Sequence, residues 1–322
     1  GNVVTFVMKY ENCTFPEAIK QLADKAGVAL PEMEYSEEAK RRETRRQRLL
    51  EVNKEAAKFY FYQLRTPHGA KAKEYLDKRQ LSDEVRKNFG LGYAPVRGEE
   101  LLAYLRQKGF SDDLIRDVGL AKIDERRGTT TQFWNRVMFP IIDLRGNVIA
   151  FGGRVLDDSK PKYINTSDTL VYKKSNGVFA MNLAKNANGN QFILVEGYMD
   201  VIALHQAGFT NAVAGLGTAL TSEQAQLLSR YASEILISYD ADEAGQKAAA
   251  RALSIFKKTN AKIKVLHLSG GKDPDEIIKN YGVEKMKAII TGAANEVEFA
   301  LLREHNKYDV ASDDGKRQYL QA

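Results

Sequence analysis

The sequence predicts a mixed α/β chain: a helix-covered parallel sheet, preceded by a mixed α/β subdomain and followed by a helical segment. Three observations lead there. Short apolar runs end abruptly in acids: Phe192-Ile-Leu-Val before Glu196-Gly-Tyr-Met-Asp200, Ile235-Leu-Ile-Ser-Tyr before Asp240-Ala-Asp242, and Ile263-Lys-Val-Leu-His-Leu before a Gly-Gly turn and Lys272-Asp273-Pro274-Asp275. Helical patterns alternate with those runs, the rhythm of βαβ units in a parallel sheet. Upstream, Val137-Met-Phe-Pro-Ile-Ile-Asp-Leu and Val148-Ile-Ala-Phe flank Arg145-Gly146-Asn147, a hairpin signature.

In chain order, residues 1–35 read as a helical lead-in, with a helix from Phe15 that stops at Gly27. A longer helix is expected from Ser36, an N-cap followed by Glu37 and Glu38, to about Leu64, ahead of Pro67. Leu49, Val52, Ala56 and Phe59 recur at three- and four-residue steps, so one face is buried. The segment Lys40–Arg48 carries six basic residues against one acid. It reads either as a solvated helix face or as a track for nucleic-acid phosphates.

Leu81-Ser-Asp-Glu-Val-Arg-Lys-Asn-Phe-Gly-Leu91 is echoed by Phe110-Ser-Asp-Asp-Leu-Ile-Arg-Asp-Val-Gly-Leu120. Both have a Ser cap, acids in the first turn and a Gly terminator, giving two small helices. After the hairpin, Gly152-Gly153-Arg154 leads into basic, polar chain: Lys160-Pro-Lys-Tyr-Ile-Asn165 and Tyr172-Lys173-Lys174. A loop, Lys185–Asn190, separates this 36–184 subdomain from the acid-rich region, 185–292. There, helices over 201–207, 222–231 and 244–257 alternate with strands at 192–195, 212–214, 235–239 and 264–268. From Asp275 the chain reads as helices, with 293–322 opening a helical subdomain.

Bulk composition excludes several classes. The 322 residues, 43% hydrophobic and 28% charged, are ordinary for a soluble globular chain, and no run approaches a membrane span. The start has no signal-peptide layout, so the expected location is cytoplasmic. A single cysteine, Cys13, excludes an internal disulfide, and with only four histidines leaves no Cys/His cluster for zinc. The formal charge of +6 suits a polyanionic partner, with the positive surplus lying away from the acids.

The acids carry the chemistry. In open parallel sheets, sites form beyond the carboxyl ends of the strands. Three strand ends bring up to six carboxylates to one rim: Glu196, Asp200, Asp240, Asp242, Asp273 and Asp275. Such a cluster raises its own pKa values by repulsion, and a hard divalent cation acting on phosphates is the simplest neutraliser. Singly, each motif is weak. Asp242 also reads as the cap of the helix beginning near Ala244, and Asp273 as the cap before Pro274. Their joint order, each after an apolar run, favours the metal.

Those motifs resemble the Toprim domain, a Rossmann-like metal-binding module shared by bacterial primases, topoisomerases and some nucleases. The resemblance implies that Glu196, Asp240 and Asp242 are catalytic and metal-binding, and that Asp273 and Asp275 complete further metal positions. Asp200 matches a motif position that an orienting salt bridge explains equally well. Upstream, Arg136-Val-Met-Phe-Pro-Ile, Gly152-Gly-Arg154, Pro161-Lys162-Tyr163-Ile-Asn165 and Tyr172-Lys173-Lys174 resemble the basic motif of bacterial DnaG-type primases. Tyr75-Leu-Asp-Lys-Arg79-Gln-Leu81 and Gly92-Tyr-Ala-Pro95 resemble that family's amino-terminal subdomain, with Gln80 standing where Gly is expected.

The family implies synthesis of short RNA primers from ribonucleoside triphosphates on a single-stranded DNA template. Two or more Mg²⁺ or Mn²⁺ ions would serve the carboxylates. Arg154, Lys162, Asn165 and Lys174 would hold the triphosphate or primer end, and Arg79 and Arg136 the template. Full-length relatives carry a zinc-binding domain before this region and a helicase-binding domain after it. The resemblance thus assigns this sequence to the polymerase core, without zinc, reaching the replicative helicase only through a part it does not contain. Two other readings remain: a Toprim nuclease or topoisomerase, though no tyrosine lies in a recognisable nucleophile motif, and a non-catalytic DNA-binding scaffold.

Overall fold

The computed structural model describes residues 2–11, 13, 15–28, 37–126, 128–217, 219–305, 312, 314, 316 and 317. Its contacts divide the chain into two compact units, Gly1–Asn182 and Leu183–Ala322. Among the described residues, no helix is long and apolar enough to cross a membrane.

The first unit opens with α1 (Val3–Tyr10), α2 (Phe15–Ala26) and the long α3 (Glu37–Gln63). The expected cap of α3, Ser36, lies outside the described residues. Leu49, Val52, Ala56 and Phe59 are all buried and, with Leu101, Leu105, Ile115 and Phe151, build the unit's core. There follow α4 (Ala70–Lys78), α5 (Asp83–Asn88), β1 (Gly92–Ala94), α6 (Glu99–Gln107), α7 (Asp112–Asp117), β2 (Ala121–Asp124), β3 (Gly128–Thr131), β4 (Arg136–Ile142), β5 (Val148–Val155) and β6 (Tyr163–Asn165). The two echoed segments are α5 and α7. Ser82 and Ser111 accept the N–H groups of Val85 and Leu114, at 3.2 and 3.4 Å.

Strands β1, β4, β5 and β6 form an antiparallel sheet in the order β1-β4-β5-β6. The hairpin turn takes Gly146 at φ +87°, which a glycine adopts without penalty. Pro140 sits inside β4 yet costs no ladder bond, because β1 pairs only with residues 136–138 and leaves its edge open there. The hairpin of β2 and β3 was not foreseen from the sequence.

Three arginines of the basic run on α3 pair with acids of the fold. Arg45 pairs with Asp117, Arg46 with Glu17 and Glu43, and Arg48 with Glu51 while its guanidinium lies over Phe110 at 4.9 Å. This placement favours the solvated-face reading over a phosphate track.

The second unit contains α8 (Met181–Ala184, at the join), β7 (Gln191–Val195), α9 (Tyr198–Gln206), β8 (Ala212–Ala214), α10 (Ser222–Tyr231), β9 (Glu234–Ser238), α11 (Glu243–Phe256), β10 (Lys262–Val265), α12 (Pro274–Thr291), β11 (Ala294–Asn295) and α13 (Glu296–His305). The sheet order is β11-β10-β9-β7-β8, with β8, β7, β9 and β10 parallel. Phe192–Val195 and Ile235–Ser238 are buried on both faces, as continuous apolar strands of a covered parallel sheet must be. The sequence differs from the structure in two places here. Strand β10 ends at Val265, so Asp273 follows a loop and not the strand itself; and β11, an antiparallel edge strand, interrupts the helical tail.

Candidate functional site

The parallel register of β7 and β9 brings Glu196 and Asp240 side by side: Glu196 Oε1 accepts the backbone N–H of Asp240 at 3.0 Å. The neighbouring Ala241 N–H donates to the carbonyl of Lys272 at 3.0 Å, tying the third acidic loop to the second. The three loops therefore form one connected rim. Gly245, in the first turn of α11, is needed for this approach, since a Cβ there would lie 2.1 Å from the Asp240 carbonyl oxygen. The sequence reading did not single it out, although the spacing Asp240-Ala-Asp242-Glu-Ala-Gly245 carried the signal.

Asp242 and Asp273 are both helix caps, as their positions allowed. Asp242 Oδ1 accepts from Gly245 N–H and Asp273 Oδ1 from Glu276 N–H, each at 2.8 Å. Capping and metal binding are compatible, because a carboxylate has about four acceptor sites and the cap takes one. Asp275 differs: it is 4% exposed and pairs with Lys279 Nζ at 2.7 Å, so it faces this rim already partly neutralised.

The electrostatics identify a charge excess. Burial, then repulsion from Asp273, Asp240 and Asp275, pushes the Asp200 carboxyl up to about 8, against a hydrogen bond from the Gly197 backbone. Burial, then Glu196, Asp273 and Asp242, raises Asp240 to about 6, with Lys272 opposing. Among the described residues Asp200 forms no salt bridge; it is a half-buried acid in the field of its neighbours. Among the described residues, no three of these carboxylates already stand close enough to enclose a cation. The coupling runs across a rim. Hard oxygen donors with unbalanced negative charge fit Mg²⁺ or Mn²⁺ and do not suit a soft-ligand metal.

In the first unit, Arg154 lies on β5, Lys162 on the segment after it, Asn165 on β6 and Lys174 beyond β6. The Arg154 guanidinium stacks over Tyr75 at 4.1 Å, lies 6.0 Å from the Tyr163 ring, and donates Nη1 to the Val155 carbonyl at 3.1 Å. The Arg79 guanidinium lies 5.7 Å from the centre of the same Tyr75 ring, so one tyrosine contacts two cations. Lys162 is exposed, and Asn165 pairs in register with Gly152. Lys174 is half-buried, its N–H held by Asp168 Oδ1 at 2.9 Å, whereas Lys173 is exposed.

Arg136 is a correction. It is 3% exposed, and donates Nη1 to the carbonyls of Gly153 and Lys162, each at 3.2 Å, and Nη2 to that of Pro161 at 3.1 Å. Burial lowers its pKa from the usual arginine value. A guanidinium committed to three carbonyls inside the fold does not reach a DNA phosphate; it pins the segment that presents Lys162. Gly153 is glycine for the same reason, as a Cβ would meet Phe133 at 2.9 Å and the Arg136 side chain at 3.1 Å. Trp134, the single tryptophan, is 44% exposed, with Lys122 Nζ 5.8 Å from its ring.

Known proteins share this arrangement. Residues 59–185 match the family model described as the DNA primase catalytic core, N-terminal domain, and residues 193–278 match the Toprim-like model. The DNA primase of Clostridium acetobutylicum is 40% identical over 321 residues, covering 99% of this chain and 53% of that protein. A solved DnaG primase catalytic domain bound to ssDNA is 34% identical with a TM-score of 0.74, over 86% of this chain and 91% of that one. The RNA polymerase domain of Mycobacterium tuberculosis primase DnaG, in complex with a double-stranded DNA oligomer with a 6-nucleotide overhang, is 33% identical with a TM-score of 0.77, over 85% and 89%. The chain spans about half the length of the curated relatives it matches. With both family models in sequence order and this identity carried along almost all of its length, the chain belongs to the DnaG-type DNA primases, as their Toprim-containing catalytic core.

Proposed function

We propose that this chain catalyses metal-dependent, template-directed synthesis of short RNA primers from ribonucleoside triphosphates on single-stranded DNA during replication. The observation that carries the reading is the connected carboxylate rim, in which burial first, and then the neighbouring carboxylates, raise Asp200 and Asp240. The relative solved with ssDNA supports the choice of template.

Glu196, Asp240 and Asp242 would hold divalent ions, with Asp273 and Asp275 completing a second position. Two such ions, when bound, supply activation of the primer 3′-hydroxyl and neutralisation of the pyrophosphate leaving group. The protein's own part is to hold the ligands and the phosphates still. Caps and the Glu196–Asp240 hydrogen bond fix the carboxylates before substrate arrives. Lys162, Lys174, Asn165 and the Tyr75-stacked Arg154 hold the triphosphate or primer end, lysine as a point charge and arginine through a fork of parallel hydrogen bonds. Arg79 contacts the template backbone. We place the reaction in the cytoplasm, and helicase contact in the part of the relatives' length that this chain does not span.

The test is a primer-synthesis assay with single-stranded template, the four ribonucleoside triphosphates and Mg²⁺ or Mn²⁺. The chain should extend primers, and Asp240→Asn with Asp242→Asn should not, while keeping its circular dichroism spectrum. Undiminished synthesis by the double variant overturns the metal assignment. Nicking of labelled DNA, or a covalent protein–DNA adduct, would instead place the chain with the Toprim nucleases and topoisomerases.

A further inference from the structure

The first unit contains a basic pocket of about 560 Å³ that takes no part in the site described above. It lies where α3 ends and α4 and α5 begin, lined by Leu64, Arg65, Thr66, Pro67, Ala70, Lys73, Asp83, Arg86 and Lys87. Four cations thus face one carboxylate.

The ion pairs leave this imbalance standing. Arg86 is the buried one, and it is answered twice: Nη2 reaches Asp77 at 2.6 Å and Nη1 reaches Asp83 at 3.4 Å. Its Nε is buried without a hydrogen-bond partner among the described residues. Arg65, Lys73 and Lys87 form no ion pair among the described residues. Arg65 is nevertheless held in place, its guanidinium 3.4 Å from the Phe61 ring centre and its Nη1 donating to the Phe61 carbonyl at 2.7 Å. Burial, together with the neighbouring Arg86, lowers its pKa from the ordinary arginine value, while Asp83 opposes them. A preset guanidinium and two free ammonium groups around a concavity focus positive potential onto whatever enters. Leu64, Pro67 and Ala70 add an apolar wall. The volume falls in the range of ~300–1,000 Å³ typical of small-molecule sites.

We propose that this pocket is a second phosphate-binding site, taking a nucleoside diphosphate with its phosphates on Arg65, Lys73 and Lys87 and its apolar part against Leu64 and Pro67. The arginine fork suits two phosphate oxygens, and the lysines match the remaining charge. The same phosphate chemistry is offered by a nucleic-acid backbone, and the experiment separates the two sources.

The test titrates the chain with ADP in EDTA, which silences the carboxylate rim, and reads calorimetry and hydrogen–deuterium exchange. Expected are saturable binding and protection of 64–73 and 83–87. Lys73→Glu with Lys87→Glu should abolish that protection and weaken binding at least ~10-fold, the loss expected for two phosphate contacts. Lys73→Ser with Lys87→Ser provides the milder variant should the charge reversal perturb folding. Competition by inorganic pyrophosphate, with no effect of a short oligodeoxynucleotide, assigns the site to free nucleotides. Displacement of ADP by the oligonucleotide at lower phosphate concentration assigns it to the nucleic-acid backbone and overturns the nucleotide. Absence of protection at these segments, or equal affinity in both double variants and the parent, overturns the site.

Discussion

Glu196 accepts the backbone N–H of Asp240 at 3.0 Å, so the first acid of the rim holds the loop that carries the next two. The contact makes Glu196 both an anion and a brace. Glu196→Gln retains an amide oxygen for the bond and removes the charge. We expect its thermal stability to match or exceed the parent's without metal, and its primer synthesis to fall at least ~100-fold, since changing even an outer-shell partner of a metal ligand costs roughly 10–100-fold. Glu196→Ala should lose both properties. Parallel melts and primer assays check the split.

The raised acids give a pH dependence whose sign is set. In the folded state Asp200 keeps its proton up to about 8 and Asp240 up to about 6, against an ordinary value of 3.8. The folded protein therefore binds more protons than the unfolded chain between these limits, and stability falls as pH rises. In EDTA, the melting temperature should decline from about pH 5 to about pH 8, most of the slope vanishing in Asp200→Asn. Millimolar Mg²⁺ should flatten or reverse it. A metal-free melting temperature that rises over this window would contradict the geometry of the rim.

Removing Arg136 should act on the fold before it acts on DNA. Arg136→Ala leaves three carbonyls without their donor and should cost roughly 2–4 kcal/mol, read by denaturant unfolding. Its affinity for single-stranded DNA should keep the parent's salt slope. Lys162→Ala, by contrast, should leave stability within about 0.5 kcal/mol and lower the slope of log K against log salt by roughly 1 if the exposed amine meets a phosphate.

Gln80 stands at φ +59°, in the left-handed region, at the place where the family resemblance expects glycine. A non-glycine residue there costs roughly 1–2 kcal/mol, and glycine's extra unfolded-state freedom offsets about half. Gln80→Gly should gain roughly 0.5–1 kcal/mol and raise the melting temperature by a few degrees, with primer synthesis unchanged.

Trp134 offers a direct reading of template binding, since it is the chain's single tryptophan and is 44% exposed beside Lys122. Bases stacking on it should quench its fluorescence in a salt-dependent manner, and Trp134→Ala should weaken oligonucleotide binding by about 1–3 kcal/mol. Binding seen by anisotropy without any change in fluorescence would remove Trp134 from the template path.

Much of this was legible in one dimension. Continuous apolar strands, the Ser caps of α5 and α7, and the Gly146 turn are local features, and local sequence carries them. The short β11 and the β2–β3 hairpin escaped because two to four residues hold too little periodicity to register. Arg136 was misread because its motif is basic, and charge in sequence does not reveal whether carbonyls from residues 17 to 26 positions away will surround it.

The sequence by itself determined the longer elements and their order, the family and the set of acids after the apolar runs, because strand burial, helix capping and turn chemistry act over a few residues. Only the tertiary structure decided which groups share a field. Asp200 became a proton-holding acid, Arg136 an internal brace and the Arg65–Lys87 pocket a basic concavity through contacts between segments far apart in the chain, where burial and Coulomb forces depend on distance in space.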